Sequence, residues 1–215
     1  MSMQAWLERH PRLTLAGDAC LVSAAAFGAV IGTEFLLIGH AEPPVWIAIP
    51  AAVLTLGSVL VGPALAWLLR GRRLTWWGVL GALVASVAVV LGTQALVFAA
   101  MGLAWLLTPI TSAELAGPIA LLALASLGFL AICSLPALGI AGALRTRVRD
   151  RMGMRLLALR VAGLCLLIAF AIVAGAFVAT SSDPESGEVY IFAMLGGFSG
   201  AAMALGIDLA QTWRR

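Results

Sequence analysis

Three carboxylates interrupt long apolar runs in this chain: Asp18, Glu34 and Asp208. An unpaired charge at the middle of a bilayer costs about 2.5–3.5 kcal/mol even on insertion scales. Each carboxylate must therefore lie near an interface, find a cation, or serve a function. Asp18 stands close to the start of its run and Asp208 close to the end of its own, both beside arginine-bearing segments. Glu34 stands nearer the opposite end, in Gly32-Thr33-Glu34, where it could bind a cation, relay protons or reach the outer surface. Gln94, next to Thr93, is the strongly polar residue deep in the third apolar run. It could line a path for a neutral solute or simply hydrogen-bond to a neighbouring helix. Asp18, Glu34, Gln94 and Asp208 are thus the candidate intramembrane relay set.

Gly196, Gly200 and Ala204 lead up to Asp208 as a stripe of small residues, the pattern that lets another helix approach closely. Cys20, Ala24, Gly28 and Gly32 form a similar stripe in the first run. A contact between the two would bring Asp18 and Asp208 together, and two such carboxylates would share a proton. The alternative is that each pairs with a nearby arginine such as Arg12, Arg160 or Arg214. Arg145, Arg147, Arg149 and Arg151 make the densest charge cluster. It could hold anionic lipid headgroups or a cytoplasmic partner, or act only as a topology signal.

Several chemistries are not expected. The two histidines, His10 and His40, fall at opposite ends of the first run, so neither a bis-histidine haem nor a multi-histidine metal site is expected. Cys20, Cys133 and Cys165 lack C-x-x-C spacing and lie in apolar runs, as packing residues do. With no lysine in the sequence, a lysine Schiff base cannot form. Gly197-Phe198-Ser199-Gly200 matches the G-x-S-G of rhomboid proteases, but no histidine follows to activate the serine. No cofactor motif, nucleophile–base pair or phosphate-binding loop is present, and an enzyme is the least favoured class.

The elements that must position these residues follow from composition. Soluble domains carry about 25% charged residues; here 11% are charged and 62% hydrophobic, with mean hydropathy +1.07. The expected fold is all-α, a polytopic bundle of six transmembrane helices forming a single domain. Its spans are Leu13–Gly39, Pro44–Leu69, Leu74–Leu107, Leu115–Leu144, Met154–Thr180 and Val189–Trp213. In hydrocarbon the backbone must be satisfied within each segment, which makes each span a helix. The third span, at about 1.5 Å per residue, reaches roughly 51 Å and must tilt, overhang or bend, with Gly92 as the expected kink. Pro50, Pro63, Pro118 and Pro136 predict further kinks.

Arginine sets the orientation, since short arginine-rich loops stay cytoplasmic. Arg9 and Arg12, Arg70 to Arg73, the stretch Arg145 to Arg160, and Arg214 with Arg215 occupy alternate ends of the spans; the other turns carry acids and no arginine. Both termini and the loop 145–153 are therefore expected inside a bacterial cytoplasmic membrane. Trp67, Trp76, Trp77 and Trp213 at inner ends, and Trp46 and Trp105 at outer ends, read as interfacial anchors. Two functions fit: a small transporter or permease subunit for a neutral or hydrophobic solute, with proton coupling through the buried carboxylates, or a structural subunit of a larger membrane complex. The expected partners are the lipid bilayer and other membrane subunits or copies of this chain, with no cofactor and no nucleic acid.

Overall fold

A computed structural model describes residues 9–38, 45–71, 75–109, 113–146, 151–180 and 188–213. All regular structure among them is helical. The helices are α1 (Pro11–Ile38), α2 (Val45–Leu68), α3 (Trp76–Leu107), α4 (Ala113–Thr146), α5 (Arg151–Thr180) and α6 (Glu188–Thr212). Their ends have local causes. Gly71, at φ 66°, takes the left-handed conformation that stops α2, and its N–H donates to the Leu68 carbonyl at 2.9 Å. Thr75 caps α3 by accepting the Gly78 N–H at 3.4 Å.

Four helices contain stretches long and apolar enough to cross a membrane: Pro11–Ile31, Ile119–Leu144, Arg151–Ala176 and Ala193–Thr212. α2 and α3 contribute shorter apolar stretches, Val53–Leu68 and Trp76–Val89. This is a multi-pass membrane protein. α3 runs unbroken through Gly92, which has open space around it, so the overlong third span is one continuous helix of 32 residues. Pro50 and Pro63 lie inside α2 without ending it.

α1 is the axis of the bundle. It is apolar on every side, as a helix enclosed by others must be, and every residue from Leu15 to Ala25 is buried. It packs on α6 most extensively and also on α2, α5 and α4; α3 sits outside, against α6 and α4. Small side chains set the spacing. A methyl group at Gly200 or Gly62 would land on the Ser23 hydroxyl, and one at Gly81 would land on the Gly206 carbonyl. Ser23 lies at this junction of α1, α2 and α6 and donates to the Val59 carbonyl at 2.7 Å.

The small-residue stripe of α6 meets α1, with Gly196 against Phe27, Gly200 against Ser23 and Ala19, and Ala204 in a cluster with Leu15 and Ala19. The stripe expected on α1 is divided between neighbours. Cys20 and Ala24 meet Gly197 of α6 in a cluster that also holds Phe129 of α4, whereas Gly28 lies under the Phe170 ring of α5. A helix enclosed on all sides offers no single stripe to one partner. Trp67 also departs from expectation: it is 2% exposed and packs with Leu15, Ala66 and Ile207, as a core residue and not an interfacial anchor. Trp76, Trp105 and Trp213 are exposed.

Candidate functional site

The two carboxylates near the helix ends are both buried, and they do not pair with each other. Asp18, fully buried on α1, is gripped by two arginines from different helices. Arg160 of α5 binds it through both edges, Nε to Oδ1 at 2.7 Å and Nη2 to Oδ2 at 3.0 Å. Arg70, just beyond α2, adds Nη2 to Oδ2 at 2.7 Å and donates Nη1 to the Ala66 carbonyl at 2.9 Å. Such forked, charge-assisted contacts are the strong ones. They are also obligatory, because removing one partner of a buried pair leaves an uncompensated charge. α4 contributes space: a side chain at Gly139 would collide with the Arg160 guanidinium. One carboxylate thus joins α1, α2 and α5 over a glycine of α4.

Asp208 on α6 is 4% exposed and accepts from Arg12 Nε at 2.8 Å. Arg12 also donates Nη2 to Thr212 Oγ1 at 3.1 Å, and Thr212 donates in turn to the Asp208 carbonyl at 2.9 Å. This pair ties the first turn of α1 to the last turn of α6. Gln211 extends the link to α3, donating Nε2 to Thr75 Oγ1 at 3.1 Å. The start of α1, the end of α2, the start of α3 and the end of α6 therefore lie at one face of the bundle. Gly71 near Met152 of α5 brings the start of that helix to the same face.

The other sequence candidates are placed only in part. Glu34 lies in α1 and Gln94 in α3, with their side chains outside the described ones. Arg147 and Arg149 lie outside the described residues; Arg145 lies in the last turn of α4, its side chain likewise undescribed, and Arg151 begins α5 and is exposed. Cys133, half-buried, packs against the core cluster that holds Cys20, and Cys165 is exposed. Among the described residues no group of three metal-ligating side chains occurs. The roles of Arg70 and Arg160 exceed those a topology signal assigns. One visible mark was available: Arg160 sits in Leu156-Leu157-Ala158-Leu159-Arg160-Val161-Ala162, flanked by apolar residues on both sides.

Cavities among the described residues accompany this framework. One, of about 700 Å³, opens beside Asp208 at the ionic face, between α1 and α6. Another, of about 320 Å³, is an apolar crevice between α4, α5 and α6, lined by Phe129, Leu130, Leu167, Phe170 and Met194. Its polar atoms are engaged internally: the Tyr190 hydroxyl donates to the Ala171 carbonyl at 3.0 Å, and Ser126 Oγ lies 3.9 Å from the Met194 sulfur. Comparison of the chain with protein-family models, curated proteins and solved structures returns no match.

Proposed function

We propose that this chain is a six-span protein of the bacterial cytoplasmic membrane, with both termini inside, acting as a small transporter or permease subunit for a neutral or hydrophobic solute. The observation that carries this reading is the apolar crevice between α4, α5 and α6, whose described lining holds no charged side chain to meet a charged ligand. The ion pairs of Asp18 and Asp208 tie helix ends together at one face of the bundle, and in this reading those carboxylates are structural. Glu34 and Gln94 remain the candidates for proton relay and solute contact. The arginine-rich loop after α4 contacts anionic lipid or a cytoplasmic partner.

A second reading, an assembly subunit of a larger complex, is favoured by the apolar face of α3, where Val84, Val87, Leu91, Phe98 and Trp105 are all exposed. Reconstituted vesicles separate the two. A panel of radiolabelled neutral solutes is expected to include one that crosses faster than in protein-free vesicles. Its flux should fall at least tenfold when Ala193→Trp fills the crevice. Leak rates equal to protein-free vesicles for every solute, together with a second membrane chain co-purifying at fixed stoichiometry in mild detergent, would replace the permease with the assembly subunit.

A further inference from the structure

We infer that the cavity beside Asp208 is a binding site for the phosphate group of an anionic phospholipid. Its described lining includes Arg9, His10, Arg12 and Arg70 with one acid, Asp208; counting Asp18, which is ion-paired with Arg70, and its other partner Arg160, four arginines meet two carboxylates and the cluster stays cationic on balance. Arg12 is the accessible cation. Its side chain is 52% exposed, and it spends Nε and Nη2 on Asp208 and Thr212, leaving the Nη1 edge for an oxyanion. The Asp208 contact fixes the guanidinium plane in place, and a planar fork held in advance suits a phosphate better than a mobile ammonium.

The rest of the lining selects lipid over a soluble phosphate. Leu13, Leu15, Leu205 and Leu209 line the same cavity, and Leu13 and Leu209 are 41% and 51% exposed. A volume of about 700 Å³ exceeds what inorganic phosphate needs and accommodates a headgroup with the first carbons of its acyl chains. The cavity also lies where α1 begins and α6 ends, at the level where the apolar bundle gives way to charge. Phosphate oxygens would meet the arginines while the chains run down the leucines. The zwitterionic headgroup of phosphatidylcholine adds a positive charge that this lining disfavours. The site is separate from the crevice between α4, α5 and α6 proposed for the solute, which shares none of its lining residues.

Native mass spectrometry of the full chain with dihexanoyl phosphatidylglycerol, dihexanoyl phosphatidylcholine or inorganic phosphate tests the assignment. Phosphatidylglycerol is expected to bind preferentially. Removing one interfacial arginine charge is worth roughly fivefold in affinity, so Arg9→Gln should weaken the lipid by about that factor. Arg12→Gln combined with Asp208→Asn, which keeps the buried carboxylate from being stranded, should weaken it at least as much. Arg155→Gln, an exposed arginine of α5 outside the cavity lining, should leave it unchanged. Equal affinity for the two lipids, or equal losses in the Arg9 and Arg155 variants, would overturn the site. Inorganic phosphate binding as tightly as phosphatidylglycerol would overturn its assignment to lipid.

Discussion

Asp18 and Asp208 look alike in the sequence, yet their surroundings differ enough to separate their energetic roles. Asp18 is sealed from solvent and held by Arg70 and Arg160, themselves mostly buried, whereas Asp208 meets an arginine that is half exposed. Breaking the first set strands two guanidiniums inside the bundle, which costs about 3–5 kcal/mol. Breaking the second at Asp208 leaves the half-exposed Arg12, which water solvates, so that pair is worth about 0–1 kcal/mol. Thermal unfolding of the purified protein should therefore show a large loss for Asp18→Asn and a small one for Asp208→Asn. Equal losses would contradict the difference in burial. The sequence announced that both carboxylates needed a cation and made Arg12 and Arg160 available, but not which cation went where. Arginine is common at helix ends for topological reasons, so Arg70 carries no local mark of its inward turn toward Asp18.

Helix contacts in this bundle are made by absence of side chain, and the absent atoms are not equivalent. Gly81 and Gly206 face each other's backbones across α3 and α6, while Gly92, on the same helix as Gly81, has no neighbour within 4 Å. Gly81→Ala is expected to push α3 from α6 and lower stability by about 1–3 kcal/mol, the usual cost of overpacking. Gly92→Ala should be neutral, or stabilising by up to about 1 kcal/mol through helix propensity. Steric trapping or denaturant unfolding in detergent would compare them, and a matching loss at Gly92 would place a neighbour there. The helices were legible because apolar runs and charged flanks give existence and approximate ends. The α6 stripe was legible too, since Gly196, Gly200 and Ala204 share one face. The burial of Trp67 and the splitting of the α1 stripe were not: both depend on α1 being central, and no local pattern encodes which helix the others surround.

At the scale of the whole molecule, the ionic contacts gather the start of α1 and the end of α6 at one face. A fluorescent protein fused after Arg215 should fold and fluoresce, and alkaline phosphatase inserted near Pro184 should be active; the reverse pair of results would invert the proposed orientation. The direction of threading rests on arginine asymmetry, a property of how chains enter membranes and not of the finished fold. The central position of α1 bears on the same process. Asp18 and its forked partner Arg160 are 142 residues apart in the chain. At about 5–20 residues per second, a ribosome releases the carboxylate of the axial helix on the order of ten seconds before its forked partner. During that interval Asp18 can meet Arg70, 52 residues on, but α1 still lacks Arg160 and the two helices, α5 and α6, that complete its enclosure. The last helices made are those that allow the first to settle.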